Sequence, residues 1–363
     1  MEASCPTPPS SLSTTQSPNF SENCDFPEKK HTKTIQISHI LWPILGLSTV
    51  IFSLVLLGQE LHSISFEAIL SCIQALSLEN WLFALGGMIL AYGALAFYDH
   101  IALMHLKKQV PWSAVIMTSF TAYALSHNIG MSMFSGALIR WRAYGSMGLT
   151  LSEVGVFAAL TSFTFVLGVA SLMGVLCLYD PQSIADLFHV TPLTIQILGV
   201  VAWSLIALYT FASWKNFKPL KIKSFSFYYP SFSVVLRQMI IAPIEVLGAA
   251  SIVYFAIPGA FNPGFVPVVT AFVASFCTAL LSHAPGGLGV LEFTFIKIMP
   301  SVPVAHLLTA LLIFRLLYLI IPLFLGMIAV IIFEWKYLKP FLMRSGKMFT
   351  FCALYCQMCC LYR

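Results

Sequence analysis

Long apolar stretches broken by short polar clusters organise this chain. Runs of about 20 or more apolar residues, the length needed to span a hydrocarbon core, fall at 39–58, 80–104, 153–179, 192–214, 232–257 and 304–334. Each predicts a transmembrane helix. Two further apolar stretches, 112–139 and 265–299, read differently. The second contains Pro285-Gly286-Gly287, a sequence that breaks a helix. After it only 288–299 remain before Pro300, and at about 1.5 Å per residue so short a helix cannot cross.

Loop charge sets the topology, because Lys and Arg stay on the cytoplasmic side. Basic residues cluster at Lys29 to Lys33, Lys107 and Lys108, Arg140 and Arg142, Lys215 to Lys223, and Lys336 to Lys347, whereas 59–79, 180–191 and 258–264 contain none. One crossing by 112–139 would place Arg140 and Arg142 outside and reverse every later loop. Entry and exit on one side keeps all basic clusters inside, and the same test makes 265–299 a re-entrant hairpin from the opposite side. The predicted fold is an all-α integral membrane protein with six full spans and two re-entrant helical hairpins. Three crossings per half invert the second half relative to the first, giving inverted repeats at 39–179 and 192–334, a transporter architecture. A sequence echo supports the repeat. The stretch from Ser119 to Gly130 matches Ser275 to Gly286 at a constant offset, sharing Ser119/Ser275, Phe120/Phe276, Leu125/Leu281, Ser126/Ser282, His127/His283 and Gly130/Gly286. These hairpin tips therefore include Ser126, His127, Gly130, Ser282, His283 and Pro285.

Composition strengthens this reading. Only 9% of residues are charged and 58% are hydrophobic, against about 25% charged in soluble domains. Residues 1–38 are polar and end in a basic stretch, which predicts a disordered cytoplasmic tail without a cleavable signal. Residues 39–340 form the membrane domain, and 341–363 a short second cytoplasmic tail. Cys72, Cys177 and Cys277 lie in or beside apolar runs and read as packed thiols. Cys352, Cys356, Cys359 and Cys360 lack a second ligand group at metal spacing, so no metal site is expected.

Ionisable residues within apolar spans are costly and are functional candidates. Asp99, Arg140, Glu245, Glu292 and Arg315 stand out, with Arg237 a lesser candidate on the Glu245 face by i, i+4, i+8 spacing. One reading is a midplane cavity in which carboxylates meet an amine and arginines a phosphate. The other is structural, with Asp99–Arg140 and Glu245–Arg315 as internal ion pairs. His127 and His283 are expected to hydrogen-bond broken helix ends. The run Gly286, Gly287, Gly289 opens a helix arm whose free amides suit a phosphate, or simply permits close packing. No nucleotide-binding or hydrolase motif occurs, and no cofactor is expected.

The segment Ser282-His283-Ala284-Pro285-Gly286-Gly287-Leu288-Gly289-Val290-Leu291-Glu292 resembles the signature of the flippase domain in the multiple peptide resistance factor family, the phosphatidylglycerol lysyltransferases. Ser126-His127-Asn128-Ile129-Gly130, with Ser135-Gly136-Ala137 and Arg140-Trp141-Arg142-Ala143-Tyr144, is similar to its second motif. Phe314-Arg315-Leu316-Leu317-Tyr318 with Pro322 is similar to its closing span. The resemblance covers about 39–340. It implies a multi-pass protein of the bacterial cytoplasmic (inner) membrane, with both termini cytoplasmic, that moves lysyl- or alanyl-phosphatidylglycerol across the bilayer and so resists cationic peptides. It also implies that Asp99, Arg140, Glu245 and Glu292 are the functional polar residues, Asp99 and Glu245 matching on plainer flanks. Residues 348–363 depart from the family pattern, as a truncated or frame-shifted reading frame would. Full-length members carry a cytosolic aminoacyl-transferase domain, for which the chain has no room after residue 340. Two alternatives to a flippase follow: the membrane part of a lysyltransferase, or a subunit that docks a separate aminoacyl-phospholipid synthase. Membrane phospholipid is the expected partner, with such a synthase and a homo-oligomer as further ones.

Overall fold

The computed structural model describes residues 66–129, 132–215, 220–222, 225–227, 230–282 and 287–331. The first expected span, 39–58, both tails, and Gly130, His283, Pro285 and Gly286 lie outside these. The helices in chain order are α1 (Phe66–Gln74), α2 (Leu78–His105), α3 (Trp112–Ile129), α4 (Ser132–Gly145), α5 (Leu151–Tyr179), α6 (Pro181–Phe188), α7 (Pro192–Trp214), α8 (Phe232–Ala256), α9 (Phe265–Leu281), α10 (Val290–Ile298) and α11 (Val304–Phe314). Past α11 the chain passes through a π-helical turn, Arg315–Ile320, and the whole helix reaches Ile331. A small antiparallel ribbon pairs Leu220–Ile222 with Phe225–Phe227.

Five of these helices are long and apolar enough to cross a membrane, matching five of the six expected spans. Their outer faces carry large apolar side chains such as Leu82, Ile89, Val166, Ile197 and Leu205, which only a lipid solvent accommodates at this density. Polar caps open the helices. Ser77 Oγ accepts from the Asn80 amide at 3.2 Å. Thr150 and Glu153 form a reciprocal capping box, satisfying amides that a helix start leaves open.

Close backbone approach sets the helix directions. A Cβ on Gly248 would lie 2.8 Å from the Ala91 backbone nitrogen, and Phe83 stacks on Phe255 while Tyr98 reaches the Ala242 carbonyl. Helix α2 therefore runs antiparallel to α8, its most extensive partner. Gly199 packs against Cys177 and Gly174 against Trp203, so α7 runs antiparallel to α5.

Both re-entrant stretches are broken helix pairs that turn back. Helices α3 and α4 pack on each other, as do α9 and α10. Lys108 before the first pair bonds the Gly148 carbonyl at 2.9 Å after it and pairs with Glu153 at 3.0 Å. Entry and exit of this hairpin thus share one face. Phe261 before the second pair stacks on His306 after it, at 4.5 Å. Since α2 and α8 lead to opposite faces, the hairpins enter from opposite faces. Two short helices, α1 and α6, occupy stretches expected as plain loops.

Candidate functional site

Asp99 and Arg140 meet in the core. Asp99 is fully buried and Arg140 is 4% exposed. The guanidinium donates from Nε to Oδ2 at 3.1 Å and from Nη2 to Oδ1 at 2.9 Å, a two-pronged geometry that suits arginine. Tyr144 donates to Oδ2 at 3.3 Å. The guanidinium lies over the Tyr123 ring, 4.5 Å from its centroid. Room for it comes from Gly136, where a Cβ would stand 2.7 Å from Nη1. This pair joins the return arm of the first hairpin to α2.

The second pair differs from the expectation. Arg315 does not pair with Glu245. It grips Glu292 on the return arm of the second hairpin, with Nε and Nη2 both 2.6 Å from Oε1. The other carboxylate oxygen accepts the Gly289 amide at 2.9 Å. That amide, expected for a phosphate, is held by the chain's own carboxylate. Gly287 and Gly289 adopt positive φ, +64° and +77°, a conformation that glycine takes without penalty. Gly287 also approaches α9, where a Cβ would lie 3.0 Å from Ala279 Cβ.

Glu245 sits on α8 at 3% exposure. Its Oε1 accepts the Tyr318 hydroxyl at 2.5 Å, and its Oε2 has no partner among the described residues. Arg237 is exposed and contacts Met104, off the Glu245 face. Eight residues at about 100° each overshoot two turns by about 80°. Gln238 occupies the buried position instead. It donates to Thr164 at 2.7 Å and accepts from Tyr209 at 2.9 Å, a neutral network that the sequence reading missed. Its signal was a lone amide inside an apolar run.

The π turn gathers these parts. A π turn carries one more residue than an α turn and often marks a functional site. Tyr92 donates to the Tyr318 carbonyl at 3.0 Å, and Asn128 near the first hairpin tip donates to the Leu319 carbonyl at 3.2 Å. His127 does not take the expected helix-end role. Its ring stacks on Tyr318 at 5.4 Å, its Nδ1 is buried without a partner among the described residues, and it is Asn128 that bonds the Ala124 carbonyl in the last turn at 2.8 Å. The echoed serines behave alike. Ser126 Oγ donates to the Tyr123 carbonyl at 3.3 Å and Ser282 Oγ to the Ala279 carbonyl at 2.7 Å, each three residues back. Ser119 and Ser275, also echoed, are both fully buried with unpartnered hydroxyls among the described residues.

An uncharacterized protein of Synechocystis, slr0712, is 25% identical over 289 residues, covering 79% of this chain and 90% of that protein. The inner membrane protein YbhN of Escherichia coli is 27% identical over 305 residues, covering 82% of this chain and 95% of that protein. A phosphatidylglycerol lysyltransferase of Staphylococcus aureus is 26% identical over 303 residues, covering 81% of this chain but 34% of that protein. No protein-family profile matches.

Proposed function

From the homology of this chain to inner membrane protein YbhN and to about a third of the length of a phosphatidylglycerol lysyltransferase, we propose that it moves a phospholipid across the cytoplasmic membrane. The proposed cargo is an aminoacylated phosphatidylglycerol or a relative with a cationic or zwitterionic headgroup. The observation that carries this reading is the buried charge set. Asp99–Arg140 and Glu292–Arg315 each tie one hairpin to a long helix, and Glu245 lies on α8 between apolar neighbours. Charge this deep in an apolar protein is costly and marks a functional site by default.

A headgroup with both an ammonium and a phosphate can exchange partners with such pairs. The phosphate takes the arginine forks and the ammonium takes the carboxylates, while acyl chains stay in lipid. Translocation breaks and remakes ion pairs and requires no covalent step. Alternation follows from inverted repeats 39–179 and 192–334, with six spans and both termini cytoplasmic. The matched serine hydrogen bonds and the opposite entry of the hairpins support that symmetry. In this reading the loops holding Lys108 and Gly148 face the cytoplasm.

The test uses purified protein in liposomes with fluorescent phospholipids bearing lysyl, zwitterionic or anionic headgroups. Faster leaflet exchange of the lysyl lipid than in protein-free liposomes is the expected result. No acceleration with any headgroup removes the transporter reading and leaves a docking role for a separate synthase.

A further inference from the structure

Among the described residues, two of the three buried carboxylates have an arginine and the third has none. Asp99 is matched by Arg140 and Glu292 by Arg315. Glu245, equally deep, has one tyrosine hydroxyl on Oε1 and nothing on Oε2 among the described residues. It borders a small, water-sized space walled by Phe165, Phe272, Phe276 and Phe314.

Among the described residues, the groups facing it come from each element packed against α8. Helix α2 brings Tyr92 and Tyr98. The first hairpin brings Tyr123 and His127, which flank Tyr318 or each other. The π turn brings Tyr318, and its Arg315 is committed to Glu292. Helices α5, α9 and α11 bring phenylalanine rings, and Cys277 lies beside Phe276 on α9. Tyr209 of α7 is engaged a helical stretch away on Gln238. Among the described residues these surroundings hold hydroxyls and rings but no cation for the carboxylate.

An uncompensated carboxylate among aromatic rings is strongly disfavoured, so the site demands a positive ligand. In the arrangement seen here the space holds about one water, too little for an ammonium headgroup or a hydrated metal ion. A proton needs no space. We propose that Glu245 is an exchangeable proton-binding site and that its proton and the cationic headgroup alternate on the same carboxylate. The coupling rests on the transporter reading above, whereas the proton site stands without it.

The π turn supplies the linkage. Tyr318 touches Glu245 through its hydroxyl and Tyr92 through its carbonyl. The neighbouring carbonyl of Leu319 holds Asn128 of the first hairpin, and Arg315 in the same turn holds the second hairpin through Glu292. Release of the proton to water leaves a negative charge against this turn. That charge favours a rearrangement that delivers a cation, and an arriving ammonium satisfies it. The exchange balances as one proton out for one ammonium in.

The experiment has two arms, both on the full chain. In lipid nanodiscs, infrared difference spectra are recorded from mildly acidic to mildly alkaline buffer. A protonated-carboxyl C=O band that titrates, vanishes in Glu245→Gln and moves to higher frequency in Tyr318→Phe is the expected result. A spectrum in which Glu245→Gln removes no such band at any pH overturns the proton site, and Tyr318→Phe, which keeps the carboxyl, guards against misfolding of the first variant. In liposomes, an imposed pH gradient is expected to change the leaflet exchange of lysyl-phosphatidylglycerol severalfold for the wild type and not for Glu245→Gln. Wild-type exchange that ignores the gradient overturns the coupling. A wild type that moves no headgroup at all sinks the transporter reading instead, and the infrared arm still decides the proton site.

Discussion

Removing Arg140 alone should damage the protein more than removing the whole pair. In Arg140→Met the Asp99 carboxylate loses both guanidinium bonds, at 3.1 and 2.9 Å, and keeps only Tyr144 at 3.3 Å. Asp99 is fully buried, so water cannot replace them. Stranding one partner of a buried pair costs about 3–5 kcal/mol, while replacing both with apolar groups of similar volume is often neutral. Asp99→Leu alone strands Arg140, softened by its contacts with Tyr123 and Phe157. The double variant Asp99→Leu/Arg140→Met should recover most of either loss. Reversible unfolding in mixed micelles of the wild type, both singles and the double closes the cycle. A double variant that costs the sum of the singles refutes the reasoning, because the two charges then act independently. Lipid exchange by the double variant separates the roles: exchange at the wild-type rate marks the pair as structural, and its loss from a stable protein marks it as headgroup machinery.

Arg315→Ala should abolish lipid exchange, because it frees Glu292 and the second hairpin arm together, and normal exchange by inserted protein would assign Arg315 a purely structural role. Single cysteines placed at Gly145 and at Lys108 in a cysteine-free background should label only from the cytoplasmic side, and external labelling of either removes the first hairpin and the inverted repeat. Gly248→Val should lower stability by about 1–3 kcal/mol in the same unfolding assay, since its Cβ would stand 2.8 Å from the Ala91 nitrogen and 3.0 Å from the Gly87 carbonyl. A neutral result would mean that α2 and α8 separate freely.

The spans were legible because lipid imposes one rule on every turn: stretches such as 192–214 must be apolar and long, and the helix found there has those limits, Pro192–Trp214. The first hairpin was legible from charge bookkeeping, and Lys108 bonded to Gly148 is the physical form of that argument. Partner choice among buried charges was legible only in part. Asp99 and Arg140 were found as a pair, but Arg315 reaches Glu292 and not Glu245 because side-chain direction depends on helix rotation and on a widened turn. Nothing in Arg315-Leu316-Leu317-Tyr318 spells out a π turn, whose extra residue is held by contacts from Tyr92 and Asn128 that are remote in sequence. The short helix α6 had a readable start, Asp180 before Pro181 with a bond to Ser183, which apolar-run reading passed over.

The widened turn at 315–320 makes the closing helix unequal in its tolerance of length changes. Elsewhere along Val304–Ile331, deleting one residue turns everything beyond it by about 100° and shortens the rod by about 1.5 Å, which would pull Gly326 off Leu125 and Ala124, the side chains that a Cβ there would meet at 3.0 and 3.2 Å. Within the widened turn the same deletion returns the backbone to ordinary α winding, and the stretches before and after keep their rotational phase. Single-residue deletions should therefore be borne best at this point of the helix, where the chain already carries the spare residue.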